Sequence, residues 1–345
     1  MQAVFKSELD NTDLENIGKF CNSVDYCSIE QSVGWTEMSY KTRICYFFLI
    51  DNADIKSFSL ISQNFKFAHI DFGPVCCDKE LMITSINEII NYYKKKGFFS
   101  LDIQMYYKSG YDTEYIEYSL NKLHNIKYKF NNENTKSSVE IDLTRSMEEI
   151  YSNIRKGHKS DIKRATKLGL TVDKVKNKDE LDSFFDIYSK MCKSRNIDLG
   201  ELSSKNINEI YNYLIKNNKG KILIVKDKDN SILGGVVLVY QGISVRYFKG
   251  ASDPERRDLP ITHLALYEAI KESKNENFKY FDFWGYNHFA NENDHVYHIN
   301  HFKKGFGGYY TFFAKKMNIN LVPNGYNFYR SLLHMKNIFR KIEFN

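Results

Sequence analysis

Hydrophobic and polar residues recur along the chain in two similar arrangements. The runs AHIDFGPV at 68–75 and VRYFKGAS at 245–252 alternate as strands do, and glycine interrupts each of them. A segment with helical spacing of apolar residues follows each run, LMITSINEIINYYKKKGF at 81–98 and ITHLALYEAIKESKNENF at 261–278. Each segment leads into a short apolar run that carries one aspartate. Two copies of strand, helix and strand predict a duplicated α/β protein.

The stretch between the two copies predicts a strand followed by a helix. Val139, Ile141 and Leu143 alternate with polar residues. Thr144 then has the residue type and position of a helix N-cap, with acidic residues following in the first turns.

A basic run, IRKGHKSDIKRATKLG, comes next. Asp161 is its only acidic residue, and its cationic residues are Arg155, Lys156, Lys159, Lys163, Arg164 and Lys167. Such a run is either a solvated helix face or a surface that binds phosphates through counterion release. The pattern alone leaves both interpretations open.

Length and composition narrow the class of protein. A chain of 345 residues predicts two domains. The net charge of +6 suits a phosphate-bearing partner without requiring one. The six cysteines form no CxxC pair, which favours free thiols in a reducing compartment. The N-terminus has no apolar core, and the apolar runs are only strand-sized, so we expect an intracellular protein without a signal peptide or a membrane-spanning helix.

Several motifs together resemble the FemABX family, aminoacyltransferases that build peptidoglycan interpeptide bridges from aminoacyl-tRNA. The stretch IDLTRSMEEIYSNIRKGHKSDIKRATKLGLTV is followed by RYFKGAS, NFKYFDFWGY and FKKGFGG in the order and spacing of that family. In the N-terminal half, EQSVGW at 30–35 and DFGPV at 71–75 are similar to two further family motifs. The resemblance therefore extends over most of the chain.

The resemblance implies an α/β (α+β) fold of two tandem GNAT-like acyltransferase domains, with mixed central sheets flanked by helices. The first domain, 1–144, would lie on the precursor-binding side. The second, 145–345, would contain the basic helix and the acyl-donor and catalytic segment, with a C-terminal helix that packs back on the first domain. No pair of long charged helices is evident at 175–245, so the chain resembles the short family members that lack a helical arm.

The family resemblance also implies catalytic residues. Phe302 and Lys303 fall on the family's active-site Phe-Lys pair, so Lys303 would stabilise negative charge and Phe302 would stack on the terminal adenosine. Asp102 and Asp282, at the two strand ends, are candidate bases, although each could instead cap a turn. Proton transfer through the substrate itself would need neither. Lys304 is expected to be a solvated neighbour.

Further residues are expected to hold the substrates. Arg195 and Tyr247 lie at positions that resemble two of the residues with which the family grips phosphates and muropeptide, while Arg155 and Lys159 fall in the basic helix. Lys41 is the nearest lysine to the expected place after Trp35. The substrate-binding candidates are Arg155, Lys159, Arg195, Tyr247, Lys41, Trp35, Gly305 and Gly307, the two glycines allowing close approach of the backbone to a ligand.

Two other signals indicate that no metal or cofactor is needed. The sequence HFANENDHVYHINH contains four histidines, but its Asn, Asp and Glu residues are typical of a loop, so a substrate lid is favoured over a metal site. GASDPERR at 250–257 lacks the Arg/Gln-x-x-Gly-x-Gly/Ala loop that cradles the diphosphate of acyl-CoA. We therefore expect no cofactor.

The expected function is transfer of an amino acid from aminoacyl-tRNA to the stem-peptide amine of a UDP- or lipid-linked peptidoglycan precursor, in the cytoplasm. Peripheral contact with the inner face of the plasma membrane would use the basic helix, and DNA is not an expected partner. One alternative is an N-acyltransferase of the same fold that acylates an amino sugar of a surface glycan from an acyl thioester. Another is a degenerate relative that only binds tRNA or an anionic lipid.

Overall fold

The chain folds into two compact units. The computed structural model describes residues 1–35, 43–106, 111–124, 137–196, 199, 207–314 and 316–322. One unit is Met1–Thr135 together with Phe313–Asn345, and the other is Lys136–Phe312. The predicted boundary between residues 144 and 145 falls just after the first strand of the second unit. The predicted C-terminal helix lies outside the described residues.

The first unit is a mixed sheet with helices. Its strands are Gln2–Lys6 (β1), Arg43–Asp51 (β2), Asp54–Asn64 (β3), Phe67–Asp71 (β4), Val75–Cys76 (β5), Ser100–Gln104 (β6) and, near the end of the chain, Met317–Asn320 (β14). Its described helices are Asn11–Ser23 (α1), Leu81–Lys95 (α2) and Tyr111–His124 (α3), with a 3₁₀ turn at Ile29–Gln31. The strand order is β1-β2-β3-β4-β6-β14, with β5 paired to β3. Residues of β2, β4 and β6 form the main core with α2.

The second unit repeats this plan around a second sheet. Its strands are Ser137–Asp142 (β7), Thr171–Lys174 (β8), Gly220–Lys226 (β9), Ile232–Gln241 (β10), Ser244–Ser252 (β11), Tyr280–Asp282 (β12) and Tyr309–Phe312 (β13). Its described helices are Met147–Asn153 (α4), Lys156–Lys167 (α5), Lys178–Ser194 (α6), Ile207–Lys216 (α7), Ile261–Asn275 (α8) and His295–Lys304 (α9). The strand order is β13-β7-β12-β11-β10-β9-β8.

The two faces of β7 differ in chemistry. Val139 and Ile141 join the apolar core that contains residues of α4, α5 and α8. Successive strand residues point to opposite faces, so Ser138 and Glu140 project from the other face. Both of these polar residues are nevertheless buried. The second face of the sheet therefore carries buried polar residues at β7.

The predicted duplication is confirmed. In the first unit β4 and β6 are parallel neighbours joined through α2, and in the second unit β11 and β12 are parallel neighbours joined through α8. The helices that connect them bury the apolar positions predicted from the spacing, such as Ile86 and Ile90 in α2 and Leu264 and Ala265 in α8.

Two local predictions are wrong. Ser146, rather than Thr144, caps α4, since its side chain accepts a hydrogen bond from the Glu149 amide at 3.1 Å. Thr144 instead donates to Asp142 in the preceding turn. The histidine-rich segment expected to be a loop forms α9 from residue 295 onwards. Its buried positions include a polar residue, Asn300, so the apolar spacing that reveals a helix is weak there.

No helix in the described part of the chain is long and apolar enough to span a bilayer.

Candidate active site

Lys303 is a buried lysine near the end of α9. Its Nζ donates to the carbonyl oxygens of Trp284 and Gly285, the second at 3.0 Å. Only 9% of the residue is exposed. Burial lowers the pKa of Lys303 to about 8, while the nearby charge on Asp282 acts in the opposite direction. A fixed ammonium with a shifted pKa is the kind of group that stabilises developing negative charge.

The turn after β12 directs both carbonyls at Lys303. Trp284 has φ +48° and Gly285 has φ +56°, so two successive residues adopt the left-handed conformation. The amide of Trp284 donates to Asp282 Oδ1 at 2.7 Å. Asp282 therefore caps this turn, one of the two roles that the sequence left open for it.

Asp282 is wholly buried and lies on the same face of the sheet as Ser138 and Glu140. Ser138 Oγ donates to its Oδ1, and Arg246 lies opposite it in the parallel pair of β11 and β12. Its second oxygen, Oδ2, has no hydrogen-bond partner among the described residues. Burial raises the pKa of Asp282 to about 6, with Arg246 opposing the shift and Glu140 adding to it. A carboxyl with this pKa can change charge near neutral pH, but its burial keeps it from direct contact with a substrate in this conformation.

Asp102 occupies the matching position in the first unit. It accepts from Asn318 Nδ2 at 2.7 Å and lies 3.3 Å from His69 Nδ1 and 3.6 Å from Lys316 Nζ. Burial alone would raise the pKa of Asp102, but the hydrogen bonds from His69 and Asn318, with the charge of Lys316, hold it below its usual value. A carboxylate that is so readily ionised is a weak proton acceptor. Its role as a base remains a prediction.

Phe302, on α9, belongs to a cluster of phenylalanine and histidine rings. Its ring centroid lies 5.0 Å from that of His263 and 5.5 Å from that of Phe306. His158 Nε2 donates to the Phe302 carbonyl oxygen at 2.9 Å. Burial lowers the pKa of His263 to about 4, which keeps this imidazole neutral. Phe302 is partly exposed, and its stacking on a nucleobase stays a prediction.

The basic run forms α5, as predicted, but its two candidate residues are already engaged. Arg155 contacts His301 at 2.6 Å through one guanidinium nitrogen. Lys159 donates to the Ser152 carbonyl at 2.8 Å and lies over the ring of Tyr151. The exposed cations of the helix are Lys156, Lys163, Arg164 and Lys167.

The glycines that follow α9 are required by the protein's own packing. A Cβ on Gly305 would collide with the His158 ring. Gly307 has φ +87°, and a Cβ there would collide with the Asn153 carbonyl. Internal contacts therefore account for both glycines, and their predicted contact with a ligand stays untested.

The remaining candidates lie apart from Lys303 in the chain. Burial raises the pKa of Tyr247 to about 12, and the charge on Arg195 opposes this shift, so these two predicted residues are electrostatic neighbours. Trp35 is buried in the first unit. Lys41 lies outside the described residues.

Lys304 differs from its predicted solvated state. Its Nζ donates to the Gly308 carbonyl at 2.6 Å and lies 3.9 Å from the centroid of the Tyr310 ring. The lysine therefore fixes the turn after α9. Within the described ranges, no group of three His, Cys, Asp or Glu side chains could hold a metal ion.

Three residues of the site were not found from the sequence. Arg246, Trp284 and Glu140 surround Asp282 and the turn that holds Lys303. The sequence does carry a signal for two of these residues, because Arg246 and Glu140 are charged residues inside strands whose other residues are mostly apolar. Only the register of the strands shows that they meet.

Profiles of acyltransferase families match this chain, in agreement with its paired βαβ-containing units. The acetyltransferase (GNAT) domain profile matches residues 152–303. The FemAB family profile matches residues 13–203, more than half of the chain. The chain therefore belongs to the FemAB family.

Solved structures support the fold over nearly the whole length. FemX superposes with a TM-score of 0.77 at 14% identity, covering 92% of this chain and 97% of FemX. L-PGS from Bacillus licheniformis gives 0.61 at 11% identity, covering 92% and 94%. A tandem GNAT protein from the clavulanic acid biosynthesis pathway gives 0.52 at 7% identity, covering 93% and 99%. Comparison with curated protein sequences finds no match.

Proposed function

We propose that this acyltransferase moves an amino acid from aminoacyl-tRNA to the stem-peptide amine of a peptidoglycan precursor, linked to UDP or to a lipid. Membership of the FemAB family supports this substrate pair. The buried ammonium of Lys303 is the observation that carries the proposal. An ammonium has three N–H donors, and the Trp284 and Gly285 carbonyls accept from it, which leaves a third donor for a substrate oxygen.

The reaction assigns that donor a defined task. The precursor amine attacks the ester carbonyl of the donor, and the tetrahedral intermediate carries a negative oxygen. Lys303 stabilises this oxygen, or the ribose oxygen as the carbon–oxygen bond breaks. The proton lost by the amine ends on the ribose hydroxyl, and an amide replaces the ester. Burial lowers the Lys303 pKa only to about 8. This value is still above neutral pH, so the ammonium is the main form there.

The loop between β11 and α8 favours an RNA ester over acyl-CoA as donor. The amide of Asp253 donates to the Leu233 carbonyl, and the amide of Arg256 donates to the Asp253 carbonyl. The amide of Glu255 donates to the Asp253 carboxylate at 3.0 Å. These amides are occupied within the protein, whereas a diphosphate cradle needs amides that face the ligand.

A second candidate function is N-acylation of an amino sugar from an acyl thioester, in a surface glycan. The match of the GNAT domain profile over 152–303 favours it. Its donor would have to bind without the three loop amides described above.

A donor-exchange experiment separates the two functions. The purified protein would be incubated with a stem-peptide precursor and either radiolabelled aminoacyl-tRNA or radiolabelled acyl-CoA, with and without RNase. We expect transfer only from the tRNA, abolished by RNase. Transfer that needs the thioester and resists RNase would overturn the tRNA proposal in favour of the second function.

The proposed donor also sets the place of action. Aminoacyl-tRNA is cytoplasmic, so we place the reaction there, with the exposed cations of α5 available for contact with an anionic bilayer surface. Sedimentation with vesicles containing anionic phospholipid tests this contact. We expect binding that falls as salt rises, and salt-independent or absent binding would remove the membrane from the proposal.

A further inference from the structure

Four buried charged side chains meet in the second unit. Strand register places Glu140 on β7 opposite Asp282 on β12, and Asp282 opposite Arg246 on β11. Lys303 is close enough for its charge to interact with that of Asp282. All four residues are buried, and Arg246 and Asp282 are 0% exposed. The two cations and two anions balance, so no single one can be removed without leaving a buried excess charge.

Arg246 connects this cluster to the turn that holds Lys303. Its guanidinium carbon lies 3.6 Å from the centroid of the Trp284 ring, the distance of direct stacking. The same guanidinium opposes the rise of the Asp282 pKa. Arg246 therefore contacts the aromatic residue of the turn and neutralises the carboxylate that caps it. An apolar residue would satisfy a buried strand position at lower free-energy cost than a guanidinium, so packing alone does not explain Arg246.

Trp284 is an unusual residue for the backbone that it adopts. A left-handed conformation costs a residue with a Cβ about 1 kcal/mol, and glycine avoids this penalty. The tryptophan is held there on both sides, by the stacked Arg246 guanidinium and by the hydrogen bond from its amide to Asp282. The result of this conformation is that two successive carbonyls converge on one ammonium.

We propose that Arg246 and Trp284 are positioning residues for Lys303. Stacking of the guanidinium on the indole holds the Trp284–Gly285 turn in the left-handed conformation, and the two carbonyls of the turn then orient the ammonium towards the reacting oxygen. This inference rests on the function proposed for Lys303. It adds a stacked arginine and tryptophan to the determinants of the reaction rate.

The test compares Trp284→Gly with Trp284→Phe. Glycine keeps the left-handed turn accessible but removes the ring, whereas phenylalanine restores a stacking partner. We expect Trp284→Gly to lower kcat at least about tenfold, with KM changed less than about twofold, because loss of orientation acts on the chemical step. Trp284→Phe should recover most of kcat. Ile215→Ala, on α7 of the same unit and 50% exposed, is the control and should leave kcat unchanged.

A second readout does not need the reaction. In protein labelled with ¹³Cε-lysine, the Lys303 signal, assigned through Lys303→Arg, should titrate near pH 8 in the wild type. In Trp284→Gly, water reaches the ammonium, and the midpoint should rise towards the ordinary lysine value of about 10.4. If the wild type transfers nothing from aminoacyl-tRNA, the proposed function fails, while this titration still tests the positioning role.

Arg246→Lys provides an independent variant that keeps the buried charge balance. Lysine lacks the planar guanidinium that stacks on the indole ring. Arg246→Lys should therefore lower kcat and raise the pH midpoint of the Lys303 titration, each by less than Trp284→Gly does. Circular dichroism would confirm that each variant is folded. Folded Trp284→Gly or Arg246→Lys protein with wild-type kcat and an unchanged Lys303 midpoint would overturn the proposal.

Discussion

The two copies of the strand, helix and strand unit place an aspartate at the same register position and surround it with different groups. In the first unit Asp102 lies opposite His69, and in the second Asp282 lies opposite Arg246. The side chains of His69 and Asp102 are 38% and 19% exposed, whereas Arg246 and Asp282 are fully buried. The same backbone plan thus holds a partly exposed aspartate, with His69 and Lys316 beside it, in one copy and a buried charge cluster in the other.

The difference supports our proposal that the chemistry is confined to one copy of the duplicated fold. Around Asp102 the hydrogen bonds from His69 and Asn318 and the charge of Lys316 outweigh burial, so its carboxyl is held ionised. Around Asp282 burial is the larger effect, and the pKa values of two groups, Asp282 and Lys303, are shifted towards neutral pH in opposite directions. Groups shifted in this way cluster at functional sites, which is the physical ground for placing the chemistry in the second unit.

Removal of each carboxylate group should give the largest contrast in stability. Asp282→Ala removes the acceptor of the Ser138 hydroxyl and the Trp284 amide and leaves both donors buried, so we expect a loss of about 3 kcal/mol in the free energy of unfolding. Asp102→Ala removes only partly exposed contacts and should lose less than about 1 kcal/mol. Urea unfolding of both variants at pH 7 measures the difference. Equal losses would show that the two environments are energetically alike.

Stability in mild acid should report Asp282 specifically. Its pKa is raised when folded, so the folded state binds a proton more readily than the unfolded state. The contribution of Asp282 to the free energy of unfolding, taken as the difference between the wild type and Asp282→Asn, should therefore fall as pH rises from about 4 to 6, by at most about 1.4 kcal/mol per pH unit. His263, whose pKa is lowered to about 4, acts in the opposite sense over this range but is present in both proteins. Asp102, with its lowered pKa, acts in the opposite sense and at lower pH. Urea unfolding from pH 4 to 7 checks this, and an identical slope in Asp282→Asn would contradict it.

The ends of the connecting helices should give the smallest contrast. Gly97 has φ +67° after α2, and Asn277 has φ +65° after α8, so both helices end with a left-handed residue. Gly97→Ala should destabilise the protein by about 1 kcal/mol, because alanine resists this conformation. Asn277→Gly should be neutral or stabilise it by a few tenths of a kcal/mol. Thermal unfolding compares them, and a larger loss in Asn277→Gly would indicate that the asparagine side chain has its own role.

The repeated units could be predicted from the sequence because each helix and strand is indicated by residues close together in the chain. The spacing of apolar residues predicts α2 and α8, and alternation of apolar and polar residues predicts the strands beside them. The helix α9 was missed because buried Asn300 and Lys303 interrupt its apolar spacing. Lys303 was found only through family resemblance.

The cluster around Asp282 could not be predicted because its members come from four distant segments. Glu140, Arg246 and Trp284 meet through strand register and a left-handed turn, and a tryptophan gives no sequence signal for such a turn. The sequence gives no reason to distinguish Lys304 from an exposed lysine. Only the structure shows that it contacts the Gly308 carbonyl and the Tyr310 ring.

The central claim is that Lys303, in the buried charge cluster, serves acyl transfer, whereas Lys316, beside the partly exposed Asp102, does not. The direct test measures transfer from aminoacyl-tRNA by Lys303→Ala and by Lys316→Ala, the matched lysine beside Asp102. We predict a loss of at least about 100-fold in kcat for Lys303→Ala, as for removal of other groups that stabilise a developing oxyanion, and less than about threefold for Lys316→Ala. Folded Lys303→Ala protein that transfers at the wild-type rate would contradict the claim.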